Sequence, residues 1–286
     1  MAAKLRTLLG DHNVTRAMKS GEIRSAGLIF DFADVKVPNT AFKRVVRDLE
    51  FDVAELAIVT FLVARAHGKP LSLVPAVVTA RFQHPFLICD AERGPLAPGD
   101  LPGRRVGLRS YSVTTAAWVR SVLADDYGVG LERVNWVTFE EPHVAEYRDP
   151  PNVERAPPGK DMISMLREGT LDAAIVGEQP SDSRWVPVIP DPAAAAQAWH
   201  QRTGALQVNH MLVVREALAK DRSHPVDEIL RLFSESKRAA GLPAPDALDM
   251  NPVGLETNHR NLEVAIDCVY RQGMIPKRFE VEELFA

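Results

Sequence analysis

Residues 103–128, GRRVGLRSYSVTTAAWVRSVLADDYG, constrain the fold more than any other stretch of the chain. Val106 and Leu108 are the apolar positions of a short strand over 105–108, and Ser110-Tyr111-Ser112 forms a polar turn after it. A helix follows, with Ser112 or Thr114 as its cap, with Val119, Val122, Leu123 and Tyr127 recurring on one face, and with Gly128 as its stop. A strand that feeds a hydroxyl-rich turn and a helix N-terminus presents unpaired N–H groups and the positive end of a dipole, so it can hold an anion. No Gly-rich phosphate loop precedes this helix, which favours a carboxylate over a phosphate. The same residues also suit an ordinary strand–helix unit with a polar cap.

The alternation recurs along the chain. Strands are expected at 5–10, 27–32, 51–56, 71–79 and 86–89, with helices at 15–19, near 42–49 and from 57 to Gly68. The Pro- and Gly-dense AERGPLAPGDLPG, 91–103, reads as a boundary. Beyond it the pattern resumes with strands at 105–108, 134–139, 171–177 and 185–189, and with helices at 160–167 and up to Gly204. A strand at 207–214 and helices at 224–242 and 258–272 close the chain, while 141–158 is a long aperiodic loop. The pattern predicts an α/β protein of two lobes, with a mainly parallel sheet in each. Lobe one comprises 1–90 and 208–286, lobe two is the insertion 91–207, and a small ligand is expected in a cleft between them.

At 286 residues the chain can build two cores, and its net charge of -4 argues against a nucleic-acid partner. Cys89 and Cys268 sit in apolar runs without metal-binding spacing and read as buried, reduced thiols. No export signal or membrane-length apolar run is evident, so a cytoplasmic location is expected.

Polar residues at the expected strand ends are the candidate site: Asp11 and His12, Asp52 and Glu55, His84, 111–114, Glu178 and His210. Glu55 stands in the apolar run FDVAEL, with Thr60 one turn into the next helix, and can accept a proton or cap its helix. His210 sits mid-strand in VNHMLVV, where a structural histidine competes with a catalytic one, and His84 stands in RFQHP nearer a turn. The eight histidines show no metal-ligand spacing, and neither a nucleophile elbow nor a nucleotide-binding glycine motif is present. What remains is acid–base chemistry by His and carboxylate on a small anion, with neither metal nor cofactor expected.

A set of short motifs then points to a family. GDxxxTRA at 10–17, FDVAEL with Thr60 and ARAHG, RFQHP around His84, and RVGxxxYxxTxxxW from Arg105 to Trp118 occur in order. DDYGV, WVT with Glu141-Pro142, PPGKxxxxML, GTLDAAIVG, the strand around His210, GLExN at 254–258 and the closing EELF follow. In their order and spacing these resemble the 4,5-dihydroxyphthalate decarboxylases, cofactor-free enzymes on a type II periplasmic-binding-protein fold. The resemblance implies an aromatic carboxylate as ligand, lined by Glu55, His84, Tyr111, Thr114 and His210. His12-Asn13-Val14 departs from the family's Tyr-Asp-Arg, Glu178-Gln179 stands where a basic residue is common, and the chain is shorter than usual before Gly254. A dicarboxylate would therefore need Arg16, Arg109 or Arg260.

The reading is a metal- and cofactor-independent decarboxylase of a hydroxylated aromatic acid, with Glu55 as base, His210 as acid and His84 standing in for either. The helix start at Tyr111, Ser112 and Thr114 would hold a carboxylate. The partner is a small aromatic acid, with neither nucleic acid nor membrane involved and self-association left open. Two other classes fit the same fold: a non-catalytic solute-binding or sensor protein, and another small-molecule lyase such as those acting on chorismate-derived acids.

Overall fold

A computed structural model describes residues 2–285 and divides them into two units. The strands, in chain order, are β1 (Ala3–Leu8), β2 (Leu28–Phe32), β3 (Val53–Ala57), β4 (Leu71–Ala80), β5 (Leu87–Asp90) and β6 (Arg105–Leu108). They continue as β7 (Asn135–Thr138), β8 (Val153–Arg155), β9 (Ala173–Ile175), β10 (Trp185–Pro187) and β11 (Val208–Arg215).

Of the described residues, the first unit comprises 2–81, 143–145 and 208–285. Its sheet runs β2-β1-β3-β11-β4, with β1 parallel to β2 and β3, and β11 antiparallel to both neighbours. Helix-length returns make β1, β2 and β3 parallel, whereas β11 runs against β3 and β4, so this sheet is mixed. Val53, Val74, Leu212 and Val214 pack one face against Ile229, Leu232 and Phe233 of the helix Pro225–Ala239. That helix is strongly two-sided in sequence, which is why it lies on the sheet rather than within a core.

The second unit comprises residues 82–142 and 146–207. Its sheet runs β10-β5-β9-β6-β7-β8, parallel from β9 through β8 and antiparallel at β5 and β10. Ile88, Val137, Leu166, Leu171, Ala174 and Trp185 fill one side of it.

Several expectations shift. The first unit ends at Arg81, not at residue 90, because β5 pairs with β9 and β10 and so belongs to the second sheet. The Pro- and Gly-rich segment at 91–103 is a surface connection inside the second unit, since Pro and Gly mark turns whether or not a unit ends there. The long loop 141–158 holds the short strand β8 and, at 143–145, three residues of the first unit. The helix Thr114–Tyr127 ends at Gly128 in the left-handed conformation, but its N-cap is Val113, without a side-chain cap bond. Thr114 is instead the first residue of the helix, and both it and Ser112 are buried. Cys89 and Cys268 are buried and free, and no described helix is long and apolar enough to cross a membrane.

Candidate active site

Every residue of β3, VAELA, is buried, so Glu55 brings a carboxylate into an apolar layer and must be paired there. It is fully buried, and its two oxygens are occupied from three directions. Gly10 N–H donates to Oε2 at 2.6 Å, His12 Nε2 lies 2.9 Å from Oε2 and 3.2 Å from Oε1, and His210 Nδ1 lies 3.0 Å from Oε1. Burial by itself pushes the Glu55 carboxyl up, but the hydrogen bonds and charge of His210 and His12 outweigh it and hold the group well below the usual carboxylate range.

An ionised carboxylate only accepts, so the ring nitrogens facing it are N–H donors. That fixes both tautomers. When neutral, His12 keeps its lone pair on Nδ1 and His210 keeps its own on Nε2. The side chains of His12 and His210 are 27% and 21% exposed while Glu55 has no exposed surface. The groups that a molecule from outside can reach are therefore the two imidazoles, not the carboxylate. The bonds that make the burial of Glu55 tolerable also enclose it.

Local structure explains the placement. The loop after β1 is closed by Thr15, whose Oγ1 donates to Gly10 O at 2.7 Å and accepts from His12 N at 3.0 Å. A side chain at residue 10 could not fit, because a Cβ there would lie 2.5 Å from His12 Nε2 and 2.9 Å from Glu55 Oε2. On β11, His210 stands opposite Ala57 of β3 and Thr79 of β4, and the ladder to β4 slips its register on both sides of His210. The ladder to β3 is regular, and because Leu212 faces Glu55, the two-residue alternation puts His210 on the same face as Glu55, diagonally beside it.

Thr60, on the helix Ile58–Ala66, does not touch Glu55 but hydrogen-bonds His143 Nδ1 at 2.8 Å. Asp11 and Arg16 are exposed, in the His12 loop and at the start of the next helix. Arg260 is exposed on the helix Leu255–Arg271 and pairs with Glu263 at 3.2 Å.

The second unit carries the remaining candidates. Tyr111, Ser112 and Thr114 are buried at the start of the helix Thr114–Tyr127, and the buried Oγ of Ser110 has no hydrogen-bond partner. Arg120, fully buried on the same helix, lies 3.7 Å over the Tyr111 ring and donates to Tyr111 O at 2.8 Å. Arg109 sits 3.8 Å from Glu140, and Glu178 is exposed. His84 is fully buried in the turn His84–Phe86, with no hydrogen-bond partner for either ring nitrogen. Burial, helped by the charge of Arg202, pushes it down to about 4. It is thus held as a neutral ring, which argues against the expected stand-in role as an acid near neutral pH.

Sequence reasoning missed Gly10, Arg120 and His143. Arg120 had a signal, a charged residue between Val119 and Ser121 on a helix whose neighbours are all buried. His143, in an aperiodic loop, had none. Among the described residues no group of three or more His, Cys, Asp or Glu side chains is placed to hold a metal ion.

Comparison with known proteins identifies the relatives. No family model matches the chain. A 4,5-dihydroxyphthalate decarboxylase of Comamonas testosteroni is 28% identical over 258 residues, which cover 83% of this chain and 76% of the relative. One of Pseudomonas putida is 31% identical over 208 residues, covering 68% of this chain and 80% of the relative. In fold, the chain matches the periplasmic aliphatic sulphonate binding protein of Escherichia coli with a TM-score of 0.60 at 14% identity, over 100% of this chain and 98% of that one. The architecture is therefore that of the periplasmic binding proteins, and by sequence the chain belongs to the 4,5-dihydroxyphthalate decarboxylase family.

Proposed function

We propose that the protein removes CO2, without oxidation and without a cofactor, from a hydroxylated aromatic carboxylate, and that its substrate is 4,5-dihydroxyphthalate, giving protocatechuate. The observation that carries this is the buried, ionised Glu55 held between two partly exposed imidazoles. Direct loss of CO2 from a benzoate leaves an unstabilised aryl anion, so the ring must first accept a proton at the carbon that bears the carboxylate. A hydroxyl para to that carbon makes it possible: once ionised, it pushes electron density onto the carbon. The reaction needs a base for the hydroxyl and an acid for the carbon.

His12 is the base, taking the hydroxyl proton on Nδ1, and His210 is the acid, delivering a proton from Nε2. As the carbon is protonated the ring loses aromaticity; the bond to the carboxylate then breaks, its electrons restore the ring, and CO2 departs. His12 returns the hydroxyl proton, and the turnover consumes one proton, which His210 regains from water. Glu55 touches no substrate in this scheme. It fixes both tautomers, and its negative charge compensates the one extra proton that the pair of rings carries.

The test is incubation of the purified protein with 4,5-dihydroxyphthalate, following CO2 and protocatechuate, with EDTA in a parallel sample. Product at an equal rate in both supports the reading; loss restored by a divalent ion overturns the cofactor-free part of it. The fold likeness to a sulphonate-binding protein supports a second reading, a binding protein for an aromatic acid. Saturable binding with neither CO2 nor a new aromatic product would establish that one instead.

A further inference from the structure

The acid–base scheme uses His12, Glu55 and His210 and leaves a third imidazole of the same unit unexplained. His143 belongs to a stretch of three residues, 143–145, assigned to the first unit although the chain on either side belongs to the second. It is buried, and it is held at two points. Its Nδ1 is 2.8 Å from Thr60 Oγ1, and its carbonyl accepts from Arg47 Nε at 2.9 Å. Arg47 closes the short helix Phe42–Arg47, so the helix that grips the His143 backbone also presents the Phe42 ring.

Phe42 stands edge-on to two imidazoles. Its centroid is 5.7 Å from that of His143 with the planes at 88°, and 5.1 Å from that of His210 with the planes at 80°. The ring is fully buried. His210 is tied to Glu55 through Nδ1, and a single hydrogen bond leaves the ring some rocking freedom about its two side-chain torsions. Rocking would swing Nε2, the atom that must face the ring carbon. The nearly perpendicular Phe42 ring packs against His210, and the same ring packs against His143.

We propose, on the acid–base reading above, that His143 is a positioning residue for the reaction: anchored by Thr60, it seats Phe42, and Phe42 sets the direction in which His210 delivers its proton. Displacing a reacting group by about 1 Å costs up to about 10²-fold in rate, so loss of the wedge should act on turnover more than on binding.

The experiment pairs kinetics with the NMR signals of the His210 ring, identified by their disappearance in His210→Asn. His143→Ala should lower kcat by about 10–100-fold with KM within about twofold, and should shift the His210 ring signals as Phe42 moves. His143→Phe, which keeps a ring against Phe42, should recover part of the turnover and return the signals toward their original positions. If His143→Ala does not fold, Thr60→Val carries the test, since it removes the anchor without deleting any ring; it should move the signals in the same sense and lower kcat by a smaller factor. Unmoved His210 signals with normal turnover in the folded variant overturn the proposal, as does a fall in kcat that tracks only the folded fraction. Failure of the wild-type chain to release CO2 would instead overturn the acid–base reading and the reaction role with it, and the signals would still report whether His143 orients His210.

Discussion

Lowering the pH should weaken the second unit through a single buried ring. His84 has an ordinary value of 6.5 when the chain is unfolded and about 4 in the folded protein, because burial and the charge of Arg202 oppose protonation. Between these values the unfolded chain binds a proton that the folded chain refuses, so stability rises with pH across this window and is lost on acidification. From pH 7 to pH 5 the linkage amounts to about 2 kcal/mol, out of a full effect of about 3 kcal/mol that is reached below pH 4. All four tryptophans, Trp118, Trp136, Trp185 and Trp199, lie in the unit that carries His84, so their fluorescence reports its unfolding selectively. Urea titrations at the two pH values should be repeated on His84→Leu, which removes two buried nitrogens that have no partners to lose. The difference between wild type and variant isolates this ring from the other groups titrating in the range, and the variant should lose about 2 kcal/mol less. An equal pH-dependent loss in both proteins would refute the reasoning.

The remaining predictions concern the Glu55 cluster. His210→Asn should fold and bind substrate but lose about 10²–10⁴ in turnover, and in D2O the deuterium entering the ring at the former carboxylate position should fall in parallel. Glu55→Gln should destabilise the first unit by about 3–5 kcal/mol in denaturant titrations and abolish most turnover, because an amide has one accepting oxygen and its NH2 would be left facing the N–H of either Gly10 or His210. In the wild type, the depressed Glu55 carboxyl contributes stability that is complete above the ordinary carboxylate range and lost as pH falls below it; acid titration of the Gln variant should lack that component. Gly10→Ala should fold yet lose activity, since the new methyl must displace the His12 ring or the carboxylate, and a crystal structure would show which one moves.

The sequence made the alternating architecture legible because one-face periodicity is a local property. It also exposed Glu55 and His210, each a polar residue inside an apolar run, where burial can be inferred without a structure. Their pairing was not legible: it depends on β11 lying beside β3, a neighbour relation made across more than 150 residues. The enclosure of Glu55 was not legible for the same reason, since the bonds from Gly10 and His12 that surround it come from a loop distant in sequence. His143 was invisible because what buries it is tertiary contact with Thr60 and Phe42 rather than any pattern in its own loop. The unit boundary was displaced by nine residues because Pro and Gly mark a turn in the chain and say nothing of which sheet the preceding strand joins.

The strand that carries His210 is also the last of its sheet to be made, and it fits between β3 and β4 rather than at an edge. On the ribosome, β4 is complete at Ala80 and β11 begins at Val208, so at about 5–20 residues per second the gap stays open for on the order of ten seconds. Throughout that interval two apolar strands present unsatisfied backbone edges, the kind of surface that captures other chains. The intervening residues can meanwhile build their own sheet. Nascent chains stalled before residue 208 should therefore hold a formed second unit beside a first unit still open to proteases and chaperones, and the acid–base cluster comes into being only when the final strand slides home.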